Sequence, residues 1–150
     1  MAPIILMVDD DPLIHRLYHP HIERAGWRMI GATNGRQAIE LAAREQPQVI
    51  VMDIMMPEMD GLEAVLELKS DAATRAIPVI VITANPQYYL NQREFGQAGA
   101  ACFLTKPFGA SQLLEAIRCL LTGTAMGPAG TGGRGQKEPT VRGQSQQLNG

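Results

Sequence analysis

Residues 4–11 read Ile-Ile-Leu-Met-Val-Asp-Asp-Asp, five apolar residues in a row followed by three carboxylates. The run is too short for a helix and does not alternate, so it reads as a strand covered on both faces. Asp11-Pro12 then supplies a helix cap and a first-turn proline, predicting a helix over Leu13–Ala25. The same succession repeats along the chain. Strands are predicted at Ile4–Val8, Arg28–Ala32, Val49–Met52, Val79–Ile82 and Ala101–Leu104. Further helices are predicted at Arg36–Glu45, Leu62–Lys69, Gln87–Gln97 and Ser111–Leu121, with Asn34-Gly35, Asp60-Gly61 and Asn85-Pro86 marking three starts. In the last of these, Leu113, Leu114, Ile117, Leu120 and Leu121 form an apolar stripe, with Ser111 near the N-cap. Five strands each followed by a helix imply an α/β fold, a doubly wound parallel sheet with helices on both faces.

Composition narrows the function. The 150 residues carry 13 Lys+Arg against 15 Asp+Glu, a formal charge of -2, which argues against a coat for nucleic acid or an anionic membrane. Two cysteines make neither a disulfide framework nor a four-ligand zinc site. No apolar run approaches the ~20 residues of a membrane span, and no signal-type segment opens the chain; the expectation is cytoplasmic. Composition changes near Thr122. The stretch 123–150 holds eight of the 15 glycines, and Arg134, Lys137 and Arg142 against Glu138 give it only a small positive charge. Residues 1–122 are therefore read as one domain and 123–150 as a disordered Gly-rich tail or a linker.

Ligands of an open parallel sheet bind beyond the carboxyl ends of its strands. The first strand ends in Asp9-Asp10-Asp11, the third in Asp53 and the fourth in Thr83, and the fifth leads to Lys106. If the first and third strands are neighbours, Asp9, Asp10 and Asp53 converge, and such carboxylates repel unless a cation sits among them. Oxygen-only ligands suit Mg²⁺, or Mn²⁺. The Thr83 hydroxyl and the Lys106 ammonium would hold oxygens of a phosphoryl group, so the set describes phosphoryl transfer to an aspartate.

The stretches ILMVDDDP (5–12), VIVMDIMMPEMDG (49–61), VIVITA (79–84) and TKPF (105–108) resemble, in order and spacing, the signature set of bacterial response-regulator receiver domains. The resemblance runs from about Pro3 to Leu121. It implies a flavodoxin-like sheet of strand order 2-1-3-4-5 and a phosphorylation-activated switch of a two-component system. Asp53 matches the phosphoacceptor, Asp10 the direct metal ligand, and Asp9 the partner of a metal-bound water. Met55 would offer its backbone carbonyl to the metal. Thr83 and Lys106 match the residues that meet phosphoryl oxygens, and Phe103 the rotating aromatic switch. Lys106-Pro107 falls where the family usually has a cis peptide. The implied donor is a sensor histidine kinase or a histidine phosphotransfer domain. The implied output is a changed surface made by the Gln87–Gln97 helix, the fifth strand and the Ser111–Leu121 helix, where Tyr88 and Tyr89 fall. No external substrate is turned over; no direct nucleic-acid or membrane contact is expected, and a monomer or weak homodimer fits equally.

Plainer roles cover other residues. Asp11 reads as a helix cap, Asp60 as a turn residue and Glu58 as solvated. His15 and His19 have i, i+4 spacing, but no further ligand follows it, and His21 is expected half-buried and hydrogen-bonded on an inward stripe with Ile14 and Leu17. Pro20 inside that helix is expected to kink it. Cys102 and Cys119 read as small buried hydrophobes, and Trp27 as packing at the domain edge. The rival enzyme is a phosphatase of the haloacid-dehalogenase type, since Asp9-Asp10-Asp11 contains its Asp-x-Asp spacing. That reading lacks an acidic pair after Lys106 and leaves Asp53 without a role. A second rival is a receiver-like scaffold without phosphorylation, and a third is a transcription regulator whose DNA-binding half lies outside this chain.

Overall fold

In the computed structural model the described residues are 2–53, 61–83, 96–105 and 108–123, with only the backbone described at Gly61 and Thr83. The predicted helix over Gln87–Gln97 falls mostly outside them, with only a short helical piece at 96–98 described; Met55, Glu58, Asp60, Asn85, Tyr88, Tyr89, Lys106, Pro107 and the stretch 124–150 also lie outside. The five strands are β1 (Ile4–Val8), β2 (Arg28–Ala32), β3 (Val49–Asp53), β4 (Val79–Thr83) and β5 (Cys102–Thr105). The helices are α1 (Pro12–Arg24), α2 (Gly35–Glu45), α3 (Gly61–Ser70) and α4 (Ala110–Thr122). Every strand pair is parallel and the order is β2-β1-β3-β4-β5, as expected.

Each strand differs from its predicted span by at most one residue, and the direction of the difference is informative. β3 takes in Asp53, β4 takes in Thr83 and β5 runs to Thr105, because parallel pairing continues through these polar ends: Asp53 is opposite Ile82, and Thr83 opposite Thr105. An apolar run cannot report that extension.

The alternation of the central strands divides the core in two. Leu6, Val8, Ile50, Met52, Val79 and Val81 face α2 and α3, where Ala38, Ala42, Ala64, Val65 and Leu68 meet them. Ile5, Met7, Val49, Val51, Ile80, Ile82 and Leu104 face α1 and α4, packing with Tyr18, Ile22, Leu113, Ala116 and Ile117. β1 and β3 are thus covered on both faces, as an unbroken apolar run requires.

Local signals set the helix starts. The Asp11 carboxylate accepts from the Leu13 N–H at 2.9 Å, with Pro12 in the first turn. At α2 the Asn34 side chain accepts from the Gln37 N–H at 2.8 Å while Gln37 Oε1 accepts from the Thr33 N–H at 2.7 Å, a reciprocal cap. Gly26, at φ +92°, closes α1 by donating to the Glu23 carbonyl at 3.0 Å. At α4 the capping position belongs to Gly109 rather than to Ser111, which lies inside the first turn.

One expectation for α1 needs correction. Its inward face is Ile14, Tyr18 and Ile22; Leu17 is 53% exposed and Leu13 61%. Both faces offer apolar residues at helical spacing, and the one carrying Tyr18 and Ile22 is buried. The helix also runs unbroken through the exposed Pro20. Proline lacks an N–H, so the Arg16 carbonyl loses its usual donor four residues on. No described helix is long and apolar enough to cross a membrane.

Candidate functional site

The carboxyl ends of β1 and β3 lie side by side at the middle of the sheet. Val8 is opposite Met52, so Asp9 follows β1 where Asp53 ends β3. Asp53 shares the α1/α4 side of its strand with Val51 by simple alternation. Both carboxylates are buried, Asp9 to 1% exposure and Asp53 to 6%. Burying two acids on adjacent strand ends costs several kcal/mol unless cations or hydrogen bonds compensate, and such places are functional more often than structural.

The turn leaving β1 is held at several points. The Asp9 N–H donates to the Ala32 carbonyl of β2 at 3.0 Å. Asp9 Oδ1 accepts from the Asp11 N–H at 2.9 Å, and the Asp11 carbonyl accepts from the Ile14 N–H at 3.1 Å. Asp10 sits between these anchors in sequence and is exposed. Among the described residues no three Asp, Glu, His or Cys side chains are gathered tightly enough to hold an ion by themselves.

Phe103 stands on β5 opposite Val81, half-buried against the α2/α3 core. Thr83 ends β4 one rung beyond the Asp53 pairing. Beyond β5, Phe108 stacks on Tyr18 of α1 with ring centroids 6.0 Å apart, which ties the segment following Lys106 and Pro107 to α1.

The histidines have separate surroundings. His15 Nε2 lies 2.8 Å from the Asp9 carbonyl, His19 pairs loosely with Glu23 at 3.5 Å on the surface, and His21 is half-buried. Sequence reasoning missed the link from His15 to Asp9. Its available signal was Gly31, a glycine inside a strand pattern, which marks close approach by another group. The cysteines behave as core residues: Cys119 is 6% exposed, and burial pushes the Cys102 thiol up to about 11, far from a reactive thiolate. Trp27 is buried at the edge of the α1/α4 core with the Arg118 guanidinium 5.6 Å from its ring.

Comparison with known proteins agrees with this geometry. The response regulator receiver domain profile matches residues 5–118. The chain is 38% identical over 122 residues to the DNA-binding dual master transcriptional regulator RpaA of Synechocystis, covering 81% of this chain and spanning only 50% of that protein. It is also 38% identical over 120 residues to protein PilH of Pseudomonas aeruginosa, covering 79% of this chain and 98% of that one. Among solved structures, one neighbour is the receiver domain of a sensor histidine kinase from Pseudomonas aeruginosa PAO1, with a magnesium ion coordinated in its active site cleft. The TM-score is 0.73 at 29% identity, over 81% of this chain and 99% of that one. With its sheet order, its paired strand-end carboxylates and these relatives, the chain belongs to the response regulator receiver domain family.

Proposed function

We propose that this chain is a phosphorylation-activated signalling switch whose phosphoacceptor is Asp53. The observation that carries the reading is the pairing of the buried Asp53 with the buried Asp9 at adjacent strand ends in the centre of a parallel sheet. All-oxygen, anionic donors fit a hard divalent ion that keeps part of its water shell. Asp10, Asp53 and the Met55 carbonyl would hold Mg²⁺, or Mn²⁺ in its place, with Asp9 reaching it through water. When bound, that ion neutralises charge on the phosphoryl group.

In the proposed transfer an Asp53 carboxylate oxygen attacks phosphorus of a phosphohistidine. The P–N bond breaks, and the donor imidazole leaves as its neutral form after taking up a proton. Thr83 and Lys106 receive the phosphoryl oxygens. Movement of Thr83 toward them vacates space into which Phe103 turns, biasing two packings that differ by a few kcal/mol. Phe103 has no hydroxyl, so its inward state rests on packing alone. Water attack on the acyl phosphate resets the switch.

The donor is a sensor histidine kinase or histidine phosphotransfer domain and the output a protein contact, in the cytoplasm, from a monomer or weak homodimer. Residues 1–122 form the working domain, and 123–150 a tail or a linker. Neither nucleic acid nor membrane is contacted by the domain itself, and no external substrate is turned over.

Incubation with Mg²⁺ and acetyl phosphate should add one phosphoryl group by intact mass. The adduct should disappear in Asp53→Asn and without Mg²⁺. Absence of both the adduct and beryllofluoride binding in folded protein would leave a scaffold, and turnover of p-nitrophenyl phosphate would restore the phosphatase.

A further inference from the structure

One contact behind the site is unaccounted for by the switch itself. His15 is half-buried on α1 with its Nε2 2.8 Å from the backbone carbonyl of Asp9, across the turn that carries Asp10. A carbonyl only accepts, so the ring donates from Nε2, which fixes its tautomer. The other ring nitrogen lies against β2. A Cβ built at Gly31 would come within 2.8 Å of His15 Nδ1 and 3.0 Å of its Cε1. Gly31 is not among the glycines with positive φ, so the position needs a glycine for space and not for backbone conformation.

The two residues form a matched pair: an imidazole seated where β2 has no side chain. We infer that His15 is a positioning residue for the metal-binding turn. Its bond to the Asp9 carbonyl, together with the Asp9 N–H bond to Ala32 and the Asp11 N–H bond to Asp9 Oδ1, holds Asp9 from three directions. Asp10, next in sequence, is thereby presented on a fixed turn. This inference rests on the proposed role of Asp9 and Asp10 toward Mg²⁺, and it assigns His15 no contact with the ion or the phosphoryl group. Ordinary helix packing would explain burial of the ring but not its donor aimed at Asp9, nor the side-chain-free position beneath it.

The test is an amide NMR study of the full chain and three variants. His15→Phe keeps the ring volume without the donor, His15→Gln keeps a donor on a flexible stem, and Gly31→Ala evicts the ring. The first readout is hydrogen exchange at the Asp11 amide in Mg²⁺-free protein. It should quicken in His15→Phe and Gly31→Ala and recover in part in His15→Gln. The second is the Mg²⁺ dissociation constant from the shifts of Asp10 and Asp11, expected to rise about tenfold in the first two variants, the scale of losing an outer-shell partner. A fourth variant combining His15→Phe with Gly31→Ala should be no worse than either single one, because both act through one contact. Exchange and affinity both staying within about twofold of the parent, against that outer-shell scale, would overturn the inference. If the parent shows no Mg²⁺-dependent shift, the metal reading fails separately, and the exchange data alone decide whether His15 holds the turn.

Discussion

The two faces of the sheet solve the same problem with different materials. Against α2 and α3 the buried helix residues include Ala38, Ala42 and Ala64, with Ala32 on the strand beside them. Against α1 and α4 the core includes Tyr18, Trp27 and Ile22, and its rim carries the Tyr18–Phe108 stack and the Arg118–Trp27 contact. The buried face of α2 is made of the small residues Gly35, Ala38 and Ala42, so that face has little room for added atoms. Large side chains span the gap on the other face, so that face suffers most when atoms are removed. The site turn belongs to the second kind, since His15 reaches it from α1 and Tyr18 anchors the segment after Lys106 to the same helix.

Three substitutions would sharpen or break this contrast, each read from urea unfolding. Trp27→Ala should show the largest effect, a loss of about 3–5 kcal/mol, because a 9% exposed ring leaves a cavity that its neighbours cannot fill. A loss under about 1 kcal/mol would mean the aromatic rim collapses freely and the contrast is false. Ala42→Leu should cost about 1–3 kcal/mol by overpacking the α2 face. A neutral result there would show slack between α2 and the sheet. Arg118→Ala should cost no more than about 1 kcal/mol, since it removes a cation–ring contact at a half-exposed position; a larger loss would move Arg118 from the rim to the core.

Much of this was legible in the chain. The central strands β1, β3 and β4 were legible because burial on both faces leaves their apolar runs without polar interruption, and the acids that end β1 and β3 come out side by side because parallel strands deliver their ends together. The inward face of α1 was not legible. Leu13, Leu17, Ile14, Tyr18 and Ile22 offer two overlapping apolar stripes, and only packing against the sheet chooses between them. His15 escaped for a different reason. Its role depends on a missing side chain at Gly31, on a strand that follows in sequence, and on a backbone carbonyl that every residue possesses. Strand ends were misjudged by one residue where pairing runs on through Asp53, Thr83 and Thr105, since backbone hydrogen bonding is indifferent to the polarity of what it carries.

The place of β1 between β2 and β3 has a consequence for the order of synthesis. Ile5 pairs with Met29 on one side and with Val49 on the other, so the first strand made is completed only after the third. At ~5–20 residues per second on the ribosome, the Ile4–Val8 run waits several seconds with one edge open. Closure of that edge demands a long chain loop and is intrinsically slow. A vectorially emerging chain therefore carries a strand destined for the core as its longest-exposed one, and Asp9 to Asp11, directly behind it, place three charges beside a segment prone to stick to a neighbour.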